Sequence, residues 1–438
     1  MIRTITSLLC IALLSVGSCF AKNDNLIFQE NFNNYKKYTK QWTDNLSDFP
    51  SASLEYQKNG GVDNSACIKI TNSEKGAARI KHTISGLVPG QLYRMSTMIK
   101  CEGVKEGRGA VIYLEPDGLE QSWNASSFAY DDMEWSEVYM DFVPDQKGNA
   151  TICCALGFPW GTYNGGKALG TVWYDNVSVK KVTDEMYRRE SEHIVVWFDP
   201  AKITVKDEQM DQWLSKLDMV YESYKELVGD CPFGGRKIHI INTPGIEKGY
   251  WALAGNPILW NGRTKVTEVI ERAVNMDDWG FGILHEIGHV FSARNILGRG
   301  SWNWNDEIFA NFRMSYAIEM CNGGVSQRNV IYRGEDIRNY YKIFYDETIG
   351  QNIPKNNGDA LHYTFLRIKD KYGWDVFKKA FRALYALEED QLPKMNGSYE
   401  RFIYFLSHVS AAAGEDVTRT CYTPEELKLI EESLANKK

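Results

Sequence analysis

The sequence has 438 residues and a formal net charge of −7, and 43% of its residues are hydrophobic and 24% charged. These proportions are typical of globular proteins and exclude a disordered chain, and no apolar run beyond the N-terminal leader is long enough to cross a bilayer. Acidic and basic residues are interspersed, so no basic surface is predicted that would favour nucleic acid as a partner. At about 150 residues per domain, the length predicts two or three domains.

The N-terminus has the residue order of a secretory signal. Arg3 precedes an apolar stretch from Leu8 to Val16, and small residues follow up to Ala21. This pattern predicts export, with residues 1–21 as the signal peptide. Two processing sites stay open, either cleavage after Ala21 or lipid attachment at Cys19, whose preceding residues fit a permissive bacterial lipobox. The cysteines beyond the leader have no regular spacing, so no disulfide framework is predicted.

Residues 25–182 carry short alternating apolar segments that are separated by turn residues. Examples are Cys67 to Ile70, Tyr93 to Ile99 and Val172 to Val179. Alternation with period two is typical of half-buried strands, and many such strands at short intervals are typical of sandwiches. The first domain is therefore predicted to be an all-β sandwich.

The pattern changes after Thr183, where helical periods begin. Apolar residues recur at helical spacing between Met210 and Tyr224, and again in two later segments, Val376 to Leu384 and Tyr399 to Leu406. Four short segments are candidate strands: His193 to Phe198, Lys237 to Ile241, Pro257 to Trp260 and Val266 to Ile270. With a boundary in the polar stretch from Lys181 to Arg188, residues 183–438 are predicted to form a mainly helical α+β domain.

A short motif in this second domain has the spacing of a metal site. The residues are His285-Glu286-Ile287-Gly288-His289, within an apolar, helix-periodic segment from Trp279 to Ala293. Residues four apart lie on one face of a helix, so both imidazoles can hold one zinc ion while Glu286 reaches a water beside it. The alternative is a buried helix whose histidines only satisfy hydrogen bonds in the core.

The third protein ligand is predicted to be a carboxylate on a second helix, because no further histidine follows until His362. In the segment from Trp302 to Phe312, Asn305 or Asp306 can cap a helix that places Glu307 in its first turn. Glu307 is the preferred ligand, and Asp306 is the competing one.

Asn311 lies four residues after Glu307 and so shares its helix face. It is predicted to hydrogen-bond one of the metal ligands from the second shell. A donor for the developing oxyanion is also expected, and His362 or Tyr363 on the predicted helix from Asp359 to Lys371 are the candidates. A position in the core is the alternative for both.

Two histidines, one carboxylate and an open position suit the activation of water. Glu286 would take the proton of that water and return it to the departing amine, since this carboxylate is not needed as a ligand. The natural reaction of such a site is the hydrolysis of peptide bonds.

The positions of His285, Glu286, His289 and Glu307 resemble those of gluzincin metallopeptidases of the enhancin-like, mucin-degrading kind. The resemblance continues weakly through two predicted helices between Gly358 and Tyr385. It implies zinc ligation by the two histidines and Glu307, with Glu286 as general base and a glycosylated, mucin-like protein as substrate.

The first half resembles jelly-roll carbohydrate-binding modules of the galactose-binding-like kind, through Gly86 to Tyr93 and Val172 to Val177. The resemblance implies glycan binding. Such modules often hold a structural calcium ion where the first and last strands meet, and Glu30 with Asp175 are the candidate ligands. Two solvated carboxylates are the alternative.

Several aromatic residues are candidates for stacking on sugars, although core packing explains each of them equally well. In the first half they are Trp123, Trp160 and Tyr163, and near the metal motif they are Trp251, Trp260, Trp302 and Trp304.

The sequence thus predicts a secreted or lipid-anchored zinc peptidase that acts on glycoproteins and carries a β-sandwich in front. One alternative is a carbohydrate-binding surface protein whose metal site is not catalytic. Another is a glycosidase, which needs two carboxylates across a sugar cleft, and no spacing identifies such a pair.

Overall fold

A computed structural model describes residues 25–116, 124–159, 165–246, 249–354 and 358–435. The predicted signal peptide with Cys19 lies outside the described residues, as do Trp123, Trp160 and Tyr163. Among the helices of the described ranges, none has the combination of length and apolar character that spanning a membrane requires.

In its described residues, the N-terminal half contains two antiparallel sheets and one short α-helix, α1 (Tyr35–Gln41). Its strands are β1 (Leu26–Glu30), β2 (Thr43–Asp44), β3 (Ala52–Gln57), β4 (Cys67–Gly76), β5 (Ala78–Ile84), β6 (Tyr93–Lys105), β7 (Ala110–Glu115), β8 (Asp131–Phe142), β9 (Ala150–Leu156) and β10 (Ala168–Lys181).

One sheet has the order β3-β4-β10-β6-β8, with β1 also paired to β10, and the other has the order β2-β5-β9-β7. Burial alternates along β6, as the period-two pattern predicts. The side chains between the two sheets form one core, and Tyr174 connects the sheets, because its hydroxyl donates a hydrogen bond to the carbonyl of Ala155 at 2.6 Å and accepts one from the N–H of Val111 at 3.2 Å. The predicted all-β sandwich is confirmed.

The C-terminal half combines a five-stranded mixed sheet with helices and a hairpin. The sheet has the order β11-β12-β13-β15-β14, in which β12, β13 and β15 are parallel. Its strands are β11 (Tyr187–Glu190), β12 (Ile194–Phe198), β13 (Ile238–Thr243), β14 (Ala252–Leu253) and β15 (Ile258–Asn261), and the hairpin consists of β16 (Gly324–Gln327) and β17 (Val330–Arg333).

The helices of this half pack on the sheet and on one another around a large apolar core. They are α2 (Asp207–Val228), α3 (Val266–Asn275), α4 (Phe281–Val290), α5 (Ala293–Leu297), α6 (Asp306–Met320), α7 (Ile337–Glu347), α8 (Gly358–Tyr372), α9 (Asp375–Tyr385), α10 (Ser398–Ala413), α11 (Val417–Thr420) and α12 (Pro424–Ala435). The predicted helix-rich α+β class is confirmed.

The predicted strand from Val266 to Ile270 is wrong, because this segment begins helix α3. Its β-branched residues favour a strand by local preference. The buried residues of α3, however, are Val266, Ile270 and Ala273, which lie on one helical face and pack into the core. Tertiary packing therefore outweighs the local preference.

The two halves share a buried apolar cluster where β10 is followed by β11. Leu92, Val143 and Val182 of the first half pack with Trp197 and Ile241 of the second. The hydroxyl of Thr243 also donates a hydrogen bond to Asn124 Oδ1 at 2.9 Å. Removing either half would expose this cluster to water, so experiments on the function of one half need point substitutions rather than truncation.

His239 on β13 provides a test of the packing beside this cluster. The indole N–H of Trp197 donates to His239 Nδ1 at 3.0 Å, and burial, reinforced by Arg188, lowers the pKa of His239 to about 4. Since an unfolded histidine has a pKa of about 6.5, its stabilising contribution is complete above about pH 6.5 and is lost as the pH falls towards 4.

His239→Asn keeps an acceptor for Trp197 but removes the titrating group. We expect its free energy of unfolding to fall between pH 7 and pH 4 by roughly 1–3 kcal/mol less than that of wild type. Urea unfolding of both proteins at the two pH values measures this difference. Identical pH dependence in the two proteins would contradict it.

Candidate metal centre

Helix α4 carries the motif histidines on a segment whose apolar residues hold it in the core. Ile283, Leu284, Ile287 and Val290 are fully buried, and the helix packs against α6. Gly288 allows the two helices to pack closely, since a Cβ at this position would lie 2.7 Å from the carbonyl oxygen of Ala310. This close approach brings the first turn of α6 next to the imidazoles.

Replacing Gly288 should therefore separate the two helices. We expect Gly288→Ala to destabilise the protein by about 1–3 kcal/mol, as overpacking typically does, and to weaken metal retention. Gly397→Ala is the matched control, because Gly397 has extended backbone and nothing within 4 Å of the added Cβ. Thermal unfolding and metal analysis of both variants measure the effect, and equal behaviour of the two would contradict the close-packing argument.

His285, His289 and Glu307 place three potential ligand atoms within 4.8 Å of one another. The two Nε2 atoms are 3.0 Å apart, and Glu307 Oε2 lies 3.1 Å from Nε2 of His285 and 3.5 Å from Nε2 of His289. Ligands that surround a tetrahedral zinc ion at 2.0–2.1 Å are separated by about 3.3–3.4 Å. The donor set and its spacing therefore fit zinc.

Each histidine is held by a hydrogen bond at its other ring nitrogen. Nδ1 of His285 lies 2.8 Å from Asn311 Oδ1, and Nδ1 of His289 lies 2.7 Å from Asp306 Oδ2. In a neutral imidazole, an oxygen acceptor at Nδ1 favours the tautomer with its proton on Nδ1, and this tautomer leaves Nε2 free for a metal ion. Asn311 thus contacts one of the two histidines, and its amide in turn donates to Asp359 Oδ1 at 3.4 Å, while its role at a metal site stays a prediction.

Asp306 is neither the cap of α6 nor part of the cluster of three ligand atoms, the two positions that the sequence allowed for it. The helix cap is Asn305, whose side chain accepts from the backbone N–H of Glu307. Asp306 instead contacts Nδ1 of His289, on the side of the ring opposite the ligand cluster.

Charge concentrates around the two imidazoles. Burial alone would lower the pKa of His289, but hydrogen bonds to Asp306 and Glu307 raise it to about 10. Hydrogen bonds to His285 and His289 lower the pKa of Glu307. The carboxylate of Glu307 is therefore kept anionic beside the imidazoles, which is the form that a metal ligand requires.

Glu286 is buried beside the cluster and is not part of it. Burial raises the pKa of its carboxyl. The nearby histidines and the backbone N–H of Ala254 lower this pKa and so offset part of the effect of burial. Ala254 follows β14, the edge strand of the five-stranded sheet. The carboxylate therefore lies between the metal helix and the sheet edge, where it can accept a proton without ligating the metal.

Among the candidate aromatic residues that the structure describes, only Trp251 is partly exposed. Its ring packs on Gly282 of α4, where an added Cβ would lie 2.6 Å from the ring. Trp260, Trp302 and Trp304 are buried and pack against other aromatic rings. The structure therefore assigns these three to the core and leaves them no face for a sugar.

The two candidate oxyanion donors lie on α8. His362 is fully buried, with Nε2 3.1 Å from Ser315 Oγ and its ring against Tyr341, so it is a core residue and its predicted catalytic role is wrong. Tyr363 packs on Tyr345, with ring centroids 5.1 Å apart, and its role stays a prediction.

Glu30 and Asp175 are both buried rather than solvated. Asp175 accepts hydrogen bonds from the backbone N–H of Val62 and the hydroxyl of Ser65. Glu30 accepts from the N–H of Phe32 and lies 3.4 Å from Nζ of Lys37. Protein donors thus contact both carboxylates.

The sequence did not point to Asp359, Ala254 or Arg313. Asp359 accepts a hydrogen bond from Asn311, a contact between two helices that spacing does not show, and Ala254 contributes its backbone, which carries no residue-specific signal. Arg313 lies on the buried face of α6. Its position six residues after the proposed ligand was an available signal, because a charged residue is unusual on an apolar helix face.

A glutamate between two histidines that converge with a carboxylate from a second helix defines a site of the metallopeptidase class. The chain belongs to the peptidase M60, enhancin and enhancin-like family, whose model matches residues 164–421. Membership implies a metal cofactor. The cluster of His285, His289 and Glu307 is a group of residues that could hold a metal ion.

Solved structures resemble the chain at low identity. A functionally unknown conserved protein from Bacillus anthracis has 13% identity and a TM-score of 0.44, over 80% of this chain and 74% of that one. The CBM22-1 xylan-binding domain of Paenibacillus barcinonensis Xyn10C has 10% identity and a TM-score of 0.26, over 36% of this chain and 96% of its own. TmCBM61, solved with β-1,4-galactotriose, has 10% identity and a TM-score of 0.24, over 33% of this chain and 93% of its own. A comparison with curated proteins gives no match.

Proposed function

We propose that the protein is a zinc-dependent endopeptidase in which His285, His289 and Glu307 hold the metal. The observation that carries this proposal is the convergence of three ligand atoms at zinc-like spacing beside a buried glutamate that is not a ligand. When bound there, zinc supplies a Lewis acid for the substrate carbonyl and lowers the pKa of water.

Glu286 is the general base in this proposal. Its carboxylate accepts the proton of the attacking water and returns it to the leaving amine, so the same group serves both halves of the reaction. The backbone N–H of Ala254, on the sheet side, favours the anionic form of this carboxylate and so lowers its pKa. Asn311 and Asp306 keep both imidazoles in the tautomer that leaves Nε2 free.

We further propose that the substrates are glycosylated, mucin-like proteins. Trp251 supports this, because its partly exposed ring lies against the metal helix one turn before His285 and can contact a sugar near the scissile bond. We propose residues 25–182 and 183–438 as the two domains, with the first binding glycans.

The outward face of the six-stranded sheet supports glycan binding by the first domain. Trp173 of β10 is partly exposed, and its cross-strand neighbours are Lys69 on β4 and Lys100 on β6. The two ammonium groups lie 5.5 and 5.9 Å from its ring, and Gln57 accepts a hydrogen bond from its indole N–H. An aromatic ring surrounded by long polar side chains is suited to stacking on a sugar and bonding its hydroxyls.

The test compares cleavage of a mucin, its deglycosylated form and a short glycopeptide. We expect Trp251→Ala to slow cleavage of all glycosylated substrates, and Trp173→Ala to slow cleavage of the mucin alone. Tyr35→Ala removes an exposed aromatic residue of α1 and is the control. Cleavage of the deglycosylated protein as fast as the mucin would reject glycan dependence and leave the peptidase proposal intact.

Export, with or without a lipid at Cys19, is part of the proposal and rests on the order of residues 1–21. A structural calcium ion held by Glu30 and Asp175 is also proposed, because both carboxylates are buried where β1 pairs with β10, and it would have to compete with Nζ of Lys37, 3.4 Å from Glu30 Oε2. Loss of thermal stability of the calcium-free protein would test it.

A further inference from the structure

Arg313 lies in the middle of α6 and has no exposed surface. A buried guanidinium is costly unless it is paired and hydrogen-bonded. Its Nη1 donates to the carbonyl of Gly288 at 2.9 Å and lies 3.5 Å from Asp306 Oδ1. Its Nη2 donates to the hydroxyl of Tyr385 at 3.2 Å. The charge is thus directed towards the metal helix and the start of α6.

The contact with Gly288 is at the C-terminal end of the metal helix. Carbonyls in the last turn of a helix have no donor within the helix, and a cation there is also favoured by the helix dipole. Arg313 satisfies the carbonyl of Gly288, and the hydroxyl of Tyr385 donates to the carbonyl of Phe291 at 2.6 Å. Together these two side chains hold the turn that carries His289.

Arg313 also acts on His289 indirectly, through its contact with Asp306. Asp306 Oδ2 lies 2.7 Å from His289 Nδ1, while Oδ1 faces Arg313 and accepts from Asn303 Nδ2 at 2.8 Å. A neighbouring cation keeps this carboxylate anionic and therefore an acceptor. The acceptor at Nδ1 determines that Nε2 carries the lone pair.

We propose that Arg313 is a positioning residue of the metal centre. Its guanidinium holds both the turn that carries His289 and the carboxylate of Asp306, which accepts a hydrogen bond from Nδ1 of His289. This inference rests on the proposed zinc site. Arg313 does not touch substrate or metal, so its effect is on the orientation of His289 and through it on the affinity and geometry of the metal.

A second buried cation, on helix α8, offers a matched control. Lys369 of α8 is also buried and pairs with Glu319 of α6, with Nζ 2.7 Å from Oε2. Its described contacts are with Glu319, Asp370 and Trp374, and none of these is a residue of the metal centre. Lys369→Met therefore removes a buried cation from the same core without altering the support of His289.

The experiment compares wild type, Arg313→Met and Lys369→Met in the full chain. Zn²⁺ affinity is measured by competition with a chromophoric chelator, Co²⁺ geometry by the visible spectrum of the substituted protein, and stability by thermal unfolding without metal. We expect Arg313→Met to lose about 10–100-fold in Zn²⁺ affinity, as outer-shell changes typically do, and to shift the Co²⁺ bands. Lys369→Met should lower only the unfolding temperature.

Arg313→Met with wild-type affinity and spectrum would overturn the inference while the zinc site stands. A wild type that binds no stoichiometric Zn²⁺ would overturn the site and the inference together, which separates the two failures. Should Arg313→Met not fold, Tyr385→Phe decides: a smaller loss of affinity with a shifted spectrum supports the inference, and an unchanged metal site overturns it. The double variant Asp306→Asn/Arg313→Met should lose less Zn²⁺ binding free energy than the sum of the losses in the two single variants, since both substitutions act through His289.

Discussion

Glu286→Gln is expected to lower the rate of peptide hydrolysis by at least about 10²–10⁴-fold, the range that positioned acid–base groups contribute. The amide has nearly the shape of the carboxylate but cannot accept the proton of water. Because Glu286 is not among the three ligand atoms, the variant should keep the metal content of wild type. Turnover of a glycopeptide and metal analysis of the same preparation measure both quantities.

Glu271→Gln is the control for this substitution, because Glu271 is an exposed carboxylate on α3. It should leave both turnover and metal unchanged. Equal turnover in Glu286→Gln and wild type would remove Glu286 as the base. Loss of metal together with activity would instead show that Glu286 supports the site structurally.

The features of the site that depend on local spacing could be predicted from the sequence. His285 and His289 are one helical turn apart, so any helix brings them together, and the apolar residues between them specify that helix. The position of Asn311 also follows from helical spacing, once Glu307 is placed on the same face. The fold class followed from the change between period-two and helical patterns near Thr183.

The features that depend on how separate elements meet could not be predicted. Asp306 contacts His289 because Gly288 lets α4 and α6 pack closely, and the sequence does not show that distance. Trp302 and Trp304 are candidates for either a cleft or a core, and only the packing of α6, α8 and α10 around them decides for the core. For α3, packing reverses the preference of its β-branched residues.

The choice of the third ligand depends both on local spacing and on how the helices pack. Helical spacing alone left Asp306 and Glu307 as alternatives. In the structure, Glu307 Oε2 lies on the Nε2 side of both imidazoles and Asp306 Oδ2 on the Nδ1 side of one. One neighbouring pair of carboxylates thus has two different functions in our proposal, with Glu307 binding the metal and Asp306 orienting a ligand.

We therefore expect Glu307→Ala to cost more metal affinity than Asp306→Ala. Removing Glu307 leaves two protein ligands, whereas removing Asp306 leaves three and only frees the orientation of His289, which typically costs about 10–100-fold. Chelator competition with Zn²⁺ measures both affinities, and thermal unfolding of the metal-free proteins separates ligand loss from general destabilisation. The reverse order of affinities would transfer the role of third ligand to Asp306, and it would require a rotation of His289 that brings its Nδ1 to the metal.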